Sequence, residues 1–595
     1  MNKTIQDRLA ALRQYMRRQQ VEACIVPTDD IHQSEYVSPH FKYRAYLSGF
    51  TGSAGVLVVT LNEAGLWTDS RYYLQAASQL EGTGIDLYKT TLPETPSIPQ
   101  WLAARRPACV GFDGEVYAAG NALDLIAALS RNGCRINSDF RSYEAVWPDR
   151  PALPDDPIYV YPQQWDGESF QSKLQRVRER LHQAGADTLP ISGLDDIAWL
   201  FGLRGNDVKY NPVGLCFALV QDSRCCLFAD ACKLTDEAKE YLYINKVELH
   251  GYRELESELD RLPAESRVFL DRKRLNYSIW SHVPAACARI EGTMPVTDLK
   301  SVKNDTEVKG YKEAIRKDAV TLLRLWRWFE DLTARGETTD EYAIVQKLAA
   351  LRQPDPNCFG ESFEPIVSFG SDGAIVHYSP SAETSATVSR DGILLIDSGG
   401  QYLEGTTDIT RTYSLYQGAT PEEYQKDYAL VLRGNIALAE SIFPEHTRGA
   451  VIDAFTRQYM WREGENYGHG TGHGVGHFLN VHEGPQSIRI EENPVTIKAG
   501  MVMSDEPGIY KTGKYGVRVE NMIHCVVKKE TEFGRFLGFE TLTLFPLDLK
   551  SINPAYYTEA DIRWINDYHR RCYEAIAPLV TEEERAWLAD KTRAI

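Results

Sequence analysis

Apolar positions recur at helical spacing near the start of the chain and then give way to short strand-like runs. Leu9, Leu12 and Met16 fall on one face of a helix in the segment NKTIQDRLAALRQYMRRQQ. The apolar run EACIV follows at 22–26, then AYLSGFTGSAGVLVVT at 45–60 and LWTDSRYYLQAA at 66–77. This order of helical and strand patterns predicts an α/β domain over residues 1–155.

A comparable order returns farther along. The helical segment FQSKLQRVRERLHQAGADTL begins at Phe170 and precedes ISGLDDIAWLFGLRGND, GLCFALV and CCLFADACKL. AWLFG stands here where AYLSG stands earlier, and each region has a strand followed by an aspartate. We predict two related α/β domains in tandem, the second over residues 156–300, with proline-rich PALPDDP as the joint. Chance similarity between two ordinary α/β domains would give the same signs.

A charged segment, TDLKSVKNDTEVKGYKEA, leads into the helical pattern AVTLLRLWRWFEDL and opens a third domain, predicted over residues 301–595. Within it, HGTGHGVGHFLNVHEGP contains four of the chain's 13 histidines: His469, His473, His477 and His482. Its interspersed glycines each cost a helix about 1 kcal/mol, so we expect extended chain. Side chains alternate in extended chain, which predicts that the first three histidines point to one side. Taken alone, the segment is equally explained as a loop without function.

Two segments around these histidines carry paired acids. GILLIDSGGQYLEGTTDITRTYS has an apolar strand ending in Asp397 and a second strand with Asp408. A hairpin folded about Tyr402 and Leu403 would bring these two aspartates opposite each other.

The second segment, AGMVMSDEPGIYKTGKYGVRVENMI, predicts another hairpin: an apolar strand ending at Glu506, a Pro-Gly turn, and a strand that holds Arg518 and Glu520. Arg518 precedes Glu520 by two residues and therefore projects to the same face. We predict that it holds a ligand carboxylate, in preference to a partly exposed ion pair. Tyr510, after the Pro-Gly turn, either lines the site or packs the loop.

Four acids set in apolar strands need a counter-charge, and two divalent cations would neutralise all of them. Four carboxylates and one imidazole, without thiolate, suit Mn²⁺ and also accept Zn²⁺ or Co²⁺. Two metals about 3.5 to 4 Å apart can share a hydroxide and polarise a carbonyl, as metal-dependent hydrolases do. The sequence therefore predicts a dinuclear metal centre.

Composition excludes other classes. The 595 residues include 83 acidic and 65 basic ones, a formal charge of −18, without a basic tract for nucleic acid. Neither an apolar run of about 18 residues nor a secretory signal is present, so we expect a soluble cytoplasmic protein that binds no membrane. Eleven cysteines without a CxxC pair predict free thiols instead of disulfides or a structural zinc site.

The ordered set Asp397, Asp408, His473, Glu506 and Glu520, with its local motifs, resembles the pita-bread metallopeptidases of family M24. It is most similar to their aminopeptidase P branch, the cytosolic three-domain Xaa-Pro aminopeptidases. DDIHQSEYVSP, YLSGFTGSAG and LWTDSRYYLQAA look like the first domain of that branch. The resemblance implies an α/β and α+β architecture of two tandem creatinase-like N-terminal domains followed by a pita-bread catalytic domain.

Roles follow from the resemblance position by position. Asp397 would hold one metal, Asp408 and Glu520 would bridge both, and His473 with Glu506 would complete the second. Glu506 would also relay a proton to the leaving prolyl nitrogen.

Further positions match residues that contact the substrate in this family. His377 and His482 match histidines near the scissile bond, and His469 matches another active-site histidine. Arg71 matches an arginine that reaches the substrate from the first domain. No family role is assigned to His477, which we expect to be structural.

The implied activity is release of the N-terminal residue from peptides with proline second, by attack of a metal-bridging hydroxide, in an enzyme expected to be a homodimer. An Xaa-Pro dipeptidase (prolidase) would share all five ligands, but such enzymes have only one domain before the catalytic domain. A noncatalytic peptide-binding module on the same fold would have little reason to keep them. Creatine-type amidinohydrolases lack the metal set, and a methionine aminopeptidase would not need the long front half.

Overall fold

The computed structural model describes residues 2–131 and 133–595, which form two compact units. The first unit runs up to Gln163 and from Glu168 to Lys300; the second comprises Gln164–Gly167 and Ser301–Ile595. No helix within the described ranges is both long and apolar enough to span a bilayer.

A six-stranded sheet with flanking helices forms the first half of the first unit. Its strands are β1 (Ala23–Pro27), β2 (Val56–Thr60), β3 (Ala64–Thr68), β4 (Asp86–Lys89), β5 (Cys109–Phe112) and β6 (Arg135–Asn137). Its helices are α1 (Asn2–Arg18), α2 (Tyr43–Ser48), α3 (Tyr73–Leu80), α4 (Ile98–Arg105), α5 (Ala119–Ser130) and α6 (Tyr143–Val146). The strand order is β4-β3-β2-β1-β5-β6. Leu9, Leu12 and Met16 of α1 are buried as predicted.

A second sheet follows along the chain. The elements in order are β7 (Tyr159–Val160), α7 (Gln163–Asp166), α8 (Phe170–Gln183), β8 (Thr188–Ile191), α9 (Leu194–Phe201), β9 (Leu203–Arg204), β10 (Cys216–Gln221), β11 (Cys225–Ala229), α10 (Asp236–Ile244), β12 (Glu248–His250), α11 (Leu255–Leu259), β13 (Arg267–Leu270), α12 (Tyr277–His282), β14 (Ala288–Glu291) and α13 (Pro295–Ser301). The sheet order is β12-β11-β10-β8-β13-β14.

The two sheets share one topology. In each, an antiparallel meander of three strands is extended by parallel strands at both ends. The similar pentapeptides are equivalent as well: α2 and α9 both end at a left-handed glycine, Gly49 with φ +73° and Gly202 with φ +63°. Glycine adopts this conformation without a Cβ penalty, which explains why the helix ends are recognisable in sequence. The tandem repeat is confirmed.

Besides most of α7, the second unit contains six α-helices and a set of short sheets. The helices are α14 (Asp305–Ala334), α15 (Glu341–Arg352), α16 (Glu422–Ala439), α17 (Gly449–Arg462), α18 (Glu559–Ile576) and α19 (Glu582–Lys591). The strands are β15 (Thr339–Asp340), β16 (Cys358–Glu361), β17 (Ile366–Phe369), β18 (Thr387–Val388), β19 (Ile393–Ser398), β20 (Gly400–Tyr402), β21 (Gly405–Thr406), β22 (Ile409–Ser414), β23 (Ile442–Pro444), β24 (Gly472–Gly474), β25 (Glu483–Ile488), β26 (Val502–Asp505), β27 (Gly508–Lys511), β28 (Tyr515–Arg518), β29 (Asn521–Thr531) and β30 (Gly534–Thr541).

The predicted helix at the start of the third domain is α14, and its N-terminus has a capping box. The Asn304 side chain accepts hydrogen bonds from the backbone of Thr306 and Glu307, while the Glu307 carboxylate accepts one from Asn304 N–H. One face of the helix, which includes Leu323 and Trp326, packs in a core with β17 and β19. That core supports the strand ending in Asp397.

The core beneath α18 makes a pH-dependent contribution to stability. Burial lowers the pKa of His569 to about 4, and its Nε2 accepts a hydrogen bond from Leu547 N–H at 3.2 Å. Because the unfolded state takes up a proton near pH 6.5 and the folded state does not, stability is fully present above that pH. It is lost as pH falls toward 4, by about 3 kcal/mol. Chemical unfolding of His569→Gln, which keeps the acceptor, should show a shallower loss over this window than wild type; parallel curves would contradict the prediction.

Candidate metal centre

The first predicted hairpin exists, but its register differs from the prediction. β19 pairs antiparallel with β22, and Asp397 lies opposite Thr410, not opposite Asp408. The connection also contains a small hairpin, β20–β21, in which Tyr402 pairs with Gly405. Leu403 and Glu404 therefore form the turn, about one residue later than predicted, and Asp408 lies immediately before β22.

The second pair of acids lies where two strand ladders meet. Asp505 of β26 pairs with Asn521 of β29, and Gly508 of β27 pairs with Arg518 of β28. Glu506 and Glu520 fall in the gap between the two ladders, outside the strands on which the sequence placed them. The backbone N–H of Glu506 donates to Thr471 O at 2.8 Å, and that of Glu520 donates to Thr410 O at 3.1 Å. These bonds connect the second acid pair to the histidine segment and to the first hairpin.

The histidine segment is not helical, as its glycines predict, and His473 lies on the short strand β24. His473 Nδ1 lies 2.9 Å from the carbonyl oxygen of Gly474. A carbonyl only accepts, so Nδ1 carries the hydrogen and Nε2 presents its lone pair on the other side of the ring. That lone pair faces the acids: Nε2 is 3.5 Å from Asp408 Oδ2 and 3.4 Å from Glu506 Oε1.

The five predicted donors converge. Donor atoms of Asp408, His473 and Glu520 all lie within 4.8 Å of one another. Glu506 lies beside His473 of this group. Asp397 is connected to the group by Arg518, whose Nη2 lies 2.6 Å from Asp397 Oδ2. Residues separated by more than 120 positions along the chain thus form one cluster.

The electrostatics of the cluster are strained without a cation. Burial raises the pKa of all four carboxyls. For Asp408, Glu506 and Glu520, the neighbouring carboxylates raise the pKa further. The pKa of Glu506 rises to about 7, with the Arg518 guanidinium opposing the shift. Asp397 Oδ1 has no hydrogen-bond partner within the part of the chain that is described. Four crowded carboxylates with one arginine lack sufficient positive charge.

These residues fit a divalent metal pair. Metal–nitrogen and metal–oxygen bonds of about 2.0 to 2.2 Å at tetrahedral angles separate neighbouring donors by about 3.3 Å. The His473 Nε2 distances of 3.4 and 3.5 Å match this spacing. The fixed tautomer of His473, the unpartnered Asp397 Oδ1 and the oxygen-rich donors each provide what a cation site requires.

Arg518 links the carboxylates to a chain of aromatic groups. Its Nη2 donates to Asp397, its Nε to Thr410 Oγ1 at 3.1 Å, and its Nη1 to Tyr510 OH at 2.8 Å. The Tyr510 hydroxyl in turn lies 2.7 Å from His469 Nε2. Because His469 Nδ1 faces the carbonyl of Gly470, the neutral ring accepts the Tyr510 hydrogen at Nε2. Tyr510 therefore lines the site.

Replacing Arg518 by lysine is expected to lower kcat/KM about 10- to 100-fold, because lysine keeps the charge but its single ammonium nitrogen cannot reach all three acceptors that Nε, Nη1 and Nη2 of the planar guanidinium contact. Steady-state hydrolysis of a peptide with proline second, at saturating Mn²⁺, measures the loss. Metal titration shows how much of the loss comes from weaker metal binding. Arg489→Lys is the matched control, since Arg489 is half-exposed and pairs with Glu491. Equal rates in wild type and Arg518→Lys would remove this role.

The structure places the other predicted histidines in three different surroundings. His482 belongs to the cluster, with its ring centroid 4.4 Å from that of His473. His377 follows Val376, whose carbonyl lies 3.5 Å from Arg518 Nη1. His477 does not point with the other histidines: its ring packs edge-on against Tyr311 of α14, centroid to centroid 5.2 Å. The alternation prediction is wrong there because the chain bends after β24.

Arg71 lies in the first unit. Its Nε and Nη2 donate to the two oxygens of Asp69 at 2.9 and 2.8 Å, and Glu35 lies 3.7 Å away. Its contact with a substrate stays a prediction.

Several supporting residues escaped the sequence analysis. Thr410 donates to Glu520 Oε2 at 2.7 Å, and Ser504 donates to Glu506 Oε1 at 3.2 Å while accepting from His473 N–H. Each lies two residues from an acid that flanks its strand, Thr410 from Asp408 before β22 and Ser504 from Glu506 after β26, so period-two alternation extended past the strand ends could have revealed them.

A second support lies beneath the histidine segment. Arg457 of α17 donates to the carbonyls of Tyr467 and His469 and to Asp453, which also accepts from Thr471. Only the Asp453–Arg457 pair, four residues apart on α17, has a local signal in the sequence; the bonds to the loop carbonyls and to Thr471 have none.

Comparison with known protein families agrees with this fold and site. The model described as Metallopeptidase family M24 matches residues 309–526, and one for the C-terminal region of peptidase M24 matches 535–595. Models of the Creatinase/Prolidase N-terminal domain match residues 8–137 and 149–307. Two creatinase-like domains followed by a pita-bread domain, as expected from the sequence, define a metallopeptidase of the M24 class.

Curated relatives narrow the class. Probable Xaa-Pro aminopeptidase P of Coprinopsis cinerea is 37% identical over 612 residues, covering 99% of this chain and 98% of that protein. The protein of the same name from Tuber melanosporum is also 37% identical, with 99% of each chain covered. The chain therefore belongs to the Xaa-Pro aminopeptidase P family of M24 metallopeptidases.

Solved structures agree. X-prolyl aminopeptidase from Caenorhabditis elegans, described as a cytosolic enzyme with a di-nuclear active site, superposes with a TM-score of 0.95 at 30% identity over 100% of both chains. Xaa-Pro dipeptidase from Bacillus anthracis shares the fold, with a TM-score of 0.51 at 23% identity. It accounts for 64% of this chain although 99% of its own length is matched.

Proposed function

We propose that the protein is a metal-dependent aminopeptidase that releases the first residue of peptides whose second residue is proline. The observation that carries the proposal is the convergence of Asp408, His473 and Glu520 donor atoms within 4.8 Å. The family relatives named Xaa-Pro aminopeptidase P support the choice of substrate.

Two divalent cations would be held by Asp397, Asp408, His473, Glu506 and Glu520. When bound, they supply a Lewis acid for the scissile carbonyl and a water of lowered pKa. We propose Mn²⁺ as the physiological ion, because the donors are predominantly hard oxygens, with Zn²⁺ or Co²⁺ as substitutes. Metal analysis of protein purified without added metal tests this choice.

The chain's own residues would handle the proton and the substrate. Proline's imide nitrogen carries no hydrogen, so an enzyme for this bond must work on the carbonyl side and then protonate the nitrogen. Glu506, whose Oε1 lies 3.4 Å from His473 Nε2 in the ligand cluster, would accept a proton and pass it to that nitrogen. His482, beside His473, and His377 would donate hydrogen bonds to the developing oxyanion.

His469 and Arg518 would contribute differently. Arg518 would orient Asp397, which it contacts directly, while His469 would contact the substrate from the end of the Tyr510 hydrogen-bond chain. Arg71 is proposed to contact the far end of the peptide.

We further propose domain boundaries at residues 155/156 and 300/301, a cytosolic location and a homodimer. Residues 151–157 form no helix or strand, and Lys300 ends the first compact unit, which support the boundaries. The cytosolic description of the Caenorhabditis elegans enzyme supports the location. Analytical ultracentrifugation tests the dimer.

Hydrolysis of Arg-Pro-Pro and Gly-Pro, each with Mn²⁺, tests the function. We expect preference for the tripeptide and loss of activity in His473→Ala. Strict preference for Gly-Pro would indicate a dipeptidase instead. Peptide binding without bound metal or turnover would indicate a noncatalytic module.

A further inference from the structure

A second cluster of potential metal ligands lies outside the catalytic centre, in the second sheet of the first unit. The described part of the chain contains two groups of three residues whose candidate donor atoms all lie within 4.8 Å of one another inside the group. One is Asp408, His473 and Glu520; the other is Cys226, Glu248 and His250. The same geometric property that marks the catalytic centre therefore marks this second group.

Strand register assembles the second group. β11 and β12 run parallel, with Cys226 opposite Glu248 and Phe228 opposite His250. Side chains two residues apart on a strand share a face, so all three donors project from the same side of the sheet. Because β12 is an edge strand, this side is buried at Cys226 and open toward Glu248.

The donor atoms lie almost as close together as they would around a small cation. The Cys226 thiol donates a hydrogen bond to Glu248 Oε2 at 3.8 Å, and His250 Nε2 is 3.6 Å from the same oxygen. Tetrahedral zinc with bonds of about 2.0 to 2.3 Å holds its donors about 3.3 to 3.7 Å apart. The His250 ring stacks on Phe228, centroid to centroid 5.1 Å, and its Nε2 is buried without a hydrogen-bond partner among the described residues.

The surrounding charges accommodate a divalent ion. Arg224 donates to both oxygens of Glu248, from Nε to each and from Nη2 to Oε2, and so fixes the carboxylate; a metal at Oε2 would replace the longer bond from Nε and the one from the Cys226 thiol. Glu258 lies 3.6 Å from Arg224 and Glu254 lies 3.7 Å from His250, which offset the arginine. Burial raises the pKa of Cys226 to about 11, so the thiol would keep its proton unless a metal replaces it.

We propose that Cys226, Glu248 and His250 form a zinc site that is separate from the catalytic centre. Binding forms bonds to the Cys226 sulfur, the Glu248 oxygen and the His250 nitrogen, and releases the thiol proton to solvent. A thiolate, an imidazole and a carboxylate favour Zn²⁺ and leave a fourth position for water. The ion would fasten edge strand β12 to β11. The site has no CxxC pair because its ligands come from different strands.

Cobalt substitution tests the site in the full-length protein. Co²⁺ bound by a thiolate gives a charge-transfer absorption band in the near ultraviolet, and the predicted catalytic donors include no thiolate. We expect this band on adding Co²⁺ to metal-stripped protein, and its loss on adding one equivalent of Zn²⁺ beyond catalytic saturation.

Three variants distinguish metal binding by Cys226 from binding by other thiols, and they keep the test independent of the proposed function. Cys226→Ser should lose the band and one metal equivalent, whereas Cys225→Ser, the neighbouring buried thiol whose side chain alternates to the opposite face, should keep both. His250→Gln should weaken Co²⁺ affinity at this site about tenfold or more. Peptide hydrolysis should be unchanged in all three. No band in wild type, or a band that persists in Cys226→Ser, would overturn the proposal whatever the activity.

Discussion

Glu506→Gln is expected to lower kcat for Arg-Pro-Pro about 10²- to 10⁴-fold while metal remains bound at saturating Mn²⁺. The amide keeps the size of the side chain and one oxygen for coordination, but it cannot accept a proton near neutral pH. The loss should therefore appear in kcat and less in KM.

Two variants make this result interpretable. Glu492→Gln makes the same exchange at an exposed position and should leave the rate unchanged. Ser504→Ala removes the hydroxyl that donates to Glu506 Oε1, and should cost less than Glu506→Gln because the carboxylate itself remains. Metal analysis of each variant must show an undiminished metal content. Full turnover in Glu506→Gln with its metals bound would assign the proton relay to another group.

Short sequence patterns predicted much of the fold because they reflect the backbone preferences of neighbouring residues. The left-handed glycines after α2 and α9 mark helix ends that any chain with these sequences must cap in this way. The glycines around His473 exclude a helix through the same backbone preferences. Strand alternation predicted Arg518 and Glu520 on one strand; the structure has Arg518 at the end of β28, but Glu520 lies in the two-residue gap before β29.

Sequence reasoning failed where position depends on contacts between distant segments. The register that sets Asp397 opposite Thr410 follows from the small β20–β21 hairpin, which takes up residues the simple hairpin model left in the turn. His477 turns away because α14 offers Tyr311 as a packing partner. The zinc cluster likewise needs the parallel pairing of β11 with β12, and such pairing across an intervening helix leaves no fixed spacing.

The same dependence on distant contacts leaves the metal centre electrostatically costly to assemble. Its carboxylates come from separate hairpins, and each raises the pKa of its neighbours because they are buried together. Arg518 and hydrogen bonds such as that from Thr410 to Glu520 compensate only part of this repulsion. Function therefore opposes stability in the metal-free protein, as active sites commonly do.

Glu520→Gln is accordingly expected to shift the melting temperature in opposite directions with and without metal. In excess chelator the variant should melt about 2 to 6 °C above wild type, because one buried carboxylate of the repelling set is neutralised. With Mn²⁺ it should melt below wild type, since a lost ligand weakens the binding that stabilises the folded state. Calorimetry of both proteins in both buffers measures the crossover, with Glu532→Gln on the exposed β29–β30 turn as the control. Shifts of one sign in both buffers would mean that repulsion among these acids does not limit the apo fold.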